Sequence, residues 1–182
     1  MTLTTIMVYV DFDETMEDRV SVAAGIALRF NALLIGVAGW SLRQSDTASS
    51  VAKSSPAVDG RQETISEQLK HLEERFRRCA GAIPRGVEWR SSTGFPREVI
   101  PAEARAADLV IIGQEEIAGD TYHTYDPGTI ILAAGRPVLV VPREIRRLDA
   151  SRVLIAWKDT REARRAVRDA LPLLKEAKSV IR

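Results

Sequence analysis

The chain has 182 residues, 45% of them hydrophobic and 5% aromatic, and its 26 Lys and Arg nearly balance its 25 Asp and Glu for a net charge of +1. That composition excludes a chain disordered throughout, and the length fits one ordinary domain with residues to spare. No apolar run approaches the ~18 residues that span a bilayer, and the N-terminus lacks a basic region followed by a long apolar run, so a soluble, cytoplasmic protein without membrane partners is expected.

Cys79 is the single cysteine and cannot form an intramolecular disulfide, and two histidines, His71 and His123, leave little for metal chemistry. Few aromatic residues argue against a stacking platform for single-stranded nucleic acid. Charge is unevenly placed: residues 1–142 carry a net −5 and residues 143–182 a net +6. Because Glu162, Asp169 and Glu176 interrupt the basic tail, it reads as the solvated face of a helix docked on acidic surface nearby, and not as a nucleic-acid arm.

Strands and helices alternate along the chain. Ile6–Val10 is a β-rich run closed by the acidic cluster Asp11-Phe-Asp-Glu14. Val20, Ala23, Ala24, Ala27 and Leu28 then recur at helical spacing over about 16–30. Leu33–Val37 is a second strand, and residues 41–59, rich in Ser, Ala and Thr, read as a long loop. A charged amphipathic helix follows from about Arg61 to Ala80, with Ile65, Leu69, Leu72 and Phe76 on one stripe and Gly81 and Pro84 ending it. Val87–Ser91 alternates as a third strand. Gly94 and Pro96 precede a helix through about Ala107 that Pro101 should kink or shorten. Leu109–Gly113 is a fourth strand, Gln114–Pro127 a polar loop, Gly128–Ala134 a short helix, and Val138–Val141 a fifth strand bracketed by prolines. Five strands separated by helices imply a parallel α/β sheet covered on both faces, with a ligand crevice at the carboxyl ends of the strands.

The tail repeats the head. At an offset of 147 and without a gap, Ile6–Val10 falls on Val153–Trp157, Val20 on Val167, Ala23 on Ala170, Ile26 on Leu173, and Leu33-Leu34 on Val180-Ile181. The expected organisation is one α/β domain at 1–143, a linker at 144–151 and, at 152–182, the βαβ beginning of a second copy that stops short. Such a fragment cannot bury its own faces.

The segment Ala107-Asp-Leu-Val-Ile-Ile-Gly113, the ending Gly135-Arg-Pro-Val-Leu-Val-Val-Pro142 and the restart from Val153 to Ala163 together resemble the universal stress protein family, in particular its bacterial tandem-domain members. The resemblance implies a five-stranded parallel sheet of order 3-2-1-4-5 and self-association or domain pairing through the fifth strand, here Val138, Leu139, Val140 and Val141. The strand Val153, Leu154, Ile155 and Trp157 is a second candidate contact. It further implies ATP as the ligand, held by a loop of the form G-x2-G-x9-G-[S/T] after the fourth strand, where glycines let amides approach phosphates at a helix N-terminus.

Here that pattern is degenerate. Gly113 is followed at a gap of five by Gly119, and Gly128-Thr129 comes eight residues later. Four carboxylates, Glu115, Glu116, Asp120 and Asp126, crowd the loop, and no lysine offsets them. The candidate nucleotide residues are Asp11, Gly113, Gly119, Gly128 and Thr129; without a nucleotide, the glycines shape a loop and Thr129 starts a helix. In the tail Lys158 stands where Asp11 does in the head, which a carboxylate's role as acceptor for an adenosine hydroxyl does not allow.

Tyr9-Val-Asp11-Phe-Asp13-Glu-Thr15 also fits the D-x-D-x-T pattern of haloacid-dehalogenase-type phosphatases, with Asp11 as nucleophile, Asp13 as acid/base and magnesium between them. Against it, Asp120 lies seven residues beyond the end of the fourth strand and no lysine closes an intervening strand. A receiver domain lacks its phosphoacceptor Asp at the third strand end, where Ser91-Ser-Thr-Gly94 stands. No G-x-S-x-G occurs. His71 and His123 read as solvated, Cys79 as a packed residue, and Trp89 and Trp157 as strand residues in core or interface. The resulting expectation is a non-enzymatic stress-response or regulatory domain without catalytic or metal-ligating residues and with no cofactor assigned; an ATP-binding sensor and a magnesium-dependent phosphatase are the alternatives.

Overall fold

The computed structural model describes residues 2–40, 56–114 and 124–182. The elements are β1 (Thr5–Tyr9), α1 (Met16–Phe30), β2 (Leu33–Trp40), α2 (Pro56–Ala80), β3 (Val87–Thr93), α3 (Pro96–Ala104), β4 (Leu109–Gly113), α4 (Pro127–Ala134), β5 (Val138–Val141), β6 (Arg152–Leu154), α5 (Arg161–Leu174) and β7 (Ser179–Ile181). β1 to β5 form one parallel sheet, as the alternation of strands and helices led us to expect, in the order β3-β2-β1-β4-β5 that the family resemblance implied.

Both faces of the sheet are buried, which is why β1, β2 and β4 read as continuous apolar runs. Ile6, Val8, Leu34 and Ile111 pack with Val20, Ala23 and Ala27 of α1 and Leu72 and Phe76 of α2. On the other face Met7, Tyr9, Ile35, Val37, Val110 and Ile112 pack with Val99 and Ile100 of α3 and Ile130 of α4. Gly36 on β2 is where the Phe76 ring crosses the sheet; a Cβ there would lie 2.7 Å from ring carbons. Asn31 ends α1 at φ 48°, a left-handed conformation that Asn tolerates better than most side chains.

The starts of β1 and β4 are tied together by Asp108. Its carboxylate accepts from the Thr4 amide at 2.8 Å, the Thr4 hydroxyl at 2.7 Å and the Thr5 amide at 3.1 Å. Partial burial pushes its pKa up, but the bonds from Thr4 and Thr5 and the charge of Arg136 outweigh that and hold it below its ordinary value.

Several boundaries differ from the sequence reading. α2 begins at Pro56, because proline suits a first helical turn, so the helix reaches into the stretch read as loop; residues 41–55 lie outside the described residues. α3 runs through Pro101 but stops at Ala104, before the expected Ala107. β6 ends at Leu154, so Trp157 is not a strand residue; its ring meets the Arg182 guanidinium at 4.8 Å instead. His71 is exposed, and Cys79 packs against the core as expected, burial raising its thiol pKa. Trp89 stacks at a tilt on Phe76, 5.6 Å between ring centroids.

Residues 144–151 contain no helix or strand, and β6, α5 and β7 form a separate two-stranded parallel sheet with its crossover helix. The gapless repeat needs one correction. β1 and β2 pair Ile6 with Leu34, whereas β6 and β7 pair Val153 with Val180. The crossover of the tail is therefore one residue shorter, and Val180 stands where Leu34 does rather than Leu33. Since side chains alternate along a strand, that slip reverses which β7 residues face the helix, while β6 keeps the expected correspondence. The β6–β7 unit is tied to the first domain by the Arg29–Glu176 ion pair and by Arg165 donating to the Gly135 carbonyl at 3.1 Å, and the connecting segment by Arg146 donating to Asp18 at 2.7 Å. Arg161, Arg164 and Arg165 pair with Glu162, Asp159 and Asp169 of the tail itself and stay largely exposed, while Arg146 pairs with Asp18 of the head.

Gly36→Ala forces the Phe76 ring to move and is expected to lower stability by about 1–3 kcal/mol in chemical denaturation. Asp108→Asn is expected to cost about 1 kcal/mol at pH 7, a charge-assisted bond discounted for exposure. A depressed folded-state pKa stabilises above the unfolded value and ceases to as pH falls through it. The gap between wild type and Asp108→Asn should therefore be full at pH 7, begin to narrow as pH falls to the ordinary carboxyl value of 3.8 and be lost only as pH falls through the lower folded-state value, which urea melts at pH 7 and over a series of pH values below 3.8 would check.

Candidate functional site

Arg19 lies at the carboxyl ends of β1 and β4, where an open parallel sheet ordinarily receives a ligand. This residue sits in the first turns of α1 on the same stripe as Met16, Val20 and Ala23, a position that faces the sheet. Its guanidinium is 2% exposed. Nε donates to the Tyr9 carbonyl at 2.9 Å, and Nη2 lies 2.8 Å from Oδ2 of Asp11. Asp11 is itself only 11% exposed, so the two charges neutralise each other away from water, where an unpaired charge would be costly.

Arg19 also explains Gly113. The guanidinium lies against the Gly113 backbone so closely that a Cβ there would collide with Nη1. The Gly113 amide, which would face a phosphate in a nucleotide-binding loop, instead donates to the Tyr125 hydroxyl at 2.9 Å. Tyr125 is 2% exposed and meets Tyr9 edge-on, 5.3 Å between centroids. Arg19 and Tyr125 thus join the ends of β1 and β4.

The N-terminus of α4 is also occupied. Asp126 caps it, accepting from the Thr129 amide at 2.7 Å and the Thr129 hydroxyl at 2.8 Å. Those bonds, the hydroxyl's foremost, hold the Asp126 pKa below its ordinary value. A Cβ on Gly128 would lie 3.1 Å from the same carboxylate. The capping carboxylate therefore stands where a helix N-terminus would present donors to an anion.

Of the candidate nucleotide residues, Asp11 and Gly113 are brought together through Arg19, and Gly128 and Thr129 begin the helix that follows Tyr125. Gly119 lies outside the described residues, as do Glu115, Glu116, Asp120 and His123. Arg19 and Tyr125 were missed in the sequence. The available signal for Arg19 was a charged residue on the buried stripe of a helix whose preceding strand ends in an acid.

The carboxylates of the D-x-D-x-T pattern are held by local bonds. Asp13 accepts from the Thr15 amide at 2.6 Å and from the Thr15 hydroxyl, and its neighbour Asp11 accepts from the Asp13 amide at 3.1 Å. Burial pushes the Asp13 pKa up, but the two bonds from Thr15 and the charges of Arg19 and Arg143 outweigh it, leaving the carboxyl below its ordinary value. Among the described residues no group of three His, Cys, Asp or Glu side chains converges as a metal site would, and no helix is long and apolar enough to cross a membrane.

No protein-family model and no curated protein matches the chain. Solved structures do. The universal stress protein UspA from Lactobacillus plantarum is 20% identical with a TM-score of 0.58, covering 78% of this chain and 99% of its own. A universal stress protein family protein from Arabidopsis thaliana with AMP bound is 17% identical with a TM-score of 0.52, over 78% of this chain and 92% of its own. A universal stress protein from Archaeoglobus fulgidus is 14% identical with a TM-score of 0.66 over 98% of this chain, which spans 64% of that longer one. The five-stranded sheet with its covering helices is the universal stress protein fold.

Proposed function

We propose that this chain is a non-enzymatic, stress-response or regulatory module of the universal stress type, acting in the cytoplasm through self-association or protein partners. On this reading residues 1–143 are the working domain, 144–151 a linker and 152–182 the start of a second copy. Association runs through β5, from Val138 to Val141, and through β6. The observation that carries the reading is the Asp11–Arg19 pair at 2.8 Å. With Tyr125 on the Gly113 amide and Asp126 on α4, three of the groups assigned to a nucleotide are, among the described residues, already engaged by the chain itself. A ligand would have to break a buried ion pair and displace a cap before gaining any contact.

A nucleotide sensor is the second reading, favoured by the AMP bound to the Arabidopsis thaliana protein of the same fold. Calorimetric titration separates the two. The first reading expects no saturable binding of ATP, with or without magnesium, up to about 1 mM. Saturable binding that Gly128→Val abolishes would establish the sensor.

The pair has a signature in stability. Arg19→Leu strands a buried carboxylate and is expected to cost about 3–5 kcal/mol, while Asp11→Asn combined with Arg19→Leu should recover a large part of that loss. Guanidinium denaturation of the single and double variants reads both values.

A further inference from the structure

Among the described residues Gly25 is the glycine with neither a close neighbour nor a positive φ. A Cβ on Gly36 would meet the Phe76 ring and one on Gly113 would meet Arg19, so those positions need the space. Gly25 lies inside α1 and is exposed, and a Cβ there would meet nothing within 4 Å. A helix interior is less stable with glycine than with alanine, so neither backbone nor packing within the chain accounts for this residue. What Gly25 does line is a cavity of about 460 Å³, a size that takes a small organic molecule. Val22 and Ile26 of α1 and Leu148 of the connecting segment give it an apolar wall. The cavity reaches Ser151 and Lys178, which immediately precede β6 and β7, and so lies at the amino ends of those strands and not on a face of their sheet.

The rest of the wall is basic. Arg29, Arg146, Arg147 and Lys178 line it against two carboxylates, Asp149 and Glu176. Arg29 is paired with Glu176, and Arg146 donates to Asp18 outside the cavity at 2.7 Å. Arg147 and Lys178 remain, and among the described residues neither stands in an ion pair. Both bear on Asp149: its bonds from Ser151, and then the charges of Arg147 and Lys178, hold that carboxyl below its ordinary value. The same carboxylate accepts from the Ser151 amide at 3.0 Å, so two cations share one anion that is already engaged. We infer that this cavity binds a small organic phosphate, its phosphate between Arg147 and Lys178 and its apolar body over Gly25, beside Val22, Ile26 and Leu148. Two cations favour a dianion over a single carboxylate, and a guanidinium fork matches phosphate oxygens. The site is separate from the one at Arg19. Because its wall comes from α1, the connecting segment and the residues before β6 and β7, a bound ligand would touch both units of the chain at once.

Calorimetric titration of the full 182-residue chain with phenyl phosphate tests this. Wild type should bind it saturably and about ten-fold or more tighter than inorganic phosphate, which lacks the apolar body, or phenylacetate, which carries a single charge. Arg147→Ala combined with Lys178→Ala should weaken binding by about ten-fold or more. Gly25→Leu, at an exposed position, should do the same by filling the seat, with unchanged circular dichroism. Gly128→Val should bind as wild type does, whereas loss of binding there would move the ligand to the crevice of the first sheet and overturn the inference. So would the lack of saturable binding to wild type, or binding that survives both the double variant and Gly25→Leu. Equal affinity for phenylacetate would remove the phosphate from the assignment, and equal affinity for inorganic phosphate would mark an adventitious ion only; either result contradicts the site.

Discussion

A guanidinium held out of water at the ends of β1 and β4 governs the rest of the site. Arg19 has room there because Gly113 has no side chain, and it is neutral in sum because Asp11 accepts its charge. The Tyr9 carbonyl takes a further donor. Removing any one of these partners would leave a buried charge or an unfilled space, both costly. The pair therefore constrains the start of α1, the end of β1 and the end of β4 at once.

The same region is where open parallel sheets ordinarily receive ligands. Here, among the described residues, Tyr125 takes the Gly113 amide and Asp126 takes the first turn of α4. Affinity depends on what a ligand gains over what it displaces. On the reading proposed above, groups already paired within the chain offer a ligand little surplus.

Much of the fold was legible in the sequence. The apolar runs at β1, β2 and β4 and the stripe of Leu69, Leu72 and Phe76 carry period and length, and the sheet order follows the family resemblance. Local chemistry hid the rest. Nothing in the periodicity tells whether Pro56 begins a helix or breaks a loop, and the one-residue difference between the two crossovers appears only when Val153 pairs with Val180. Asp11, Gly113, Gly128 and Thr129 were legible as positions around the crevice. Their partners were not, because Arg19 comes from the helix beside the strand and Tyr125 from beyond the polar loop, and both act through contacts that no spacing rule encodes.

The most direct test is nuclear magnetic resonance of the nitrogen-labelled chain during addition of ATP. A crevice closed by Arg19, Tyr125 and Asp126 predicts that the amide signals of Gly113 and Thr129 and the Nε–H of Arg19 stay in place. Joint, saturating shifts of those three signals would mean that a nucleotide opens the site, contradicting the closed crevice.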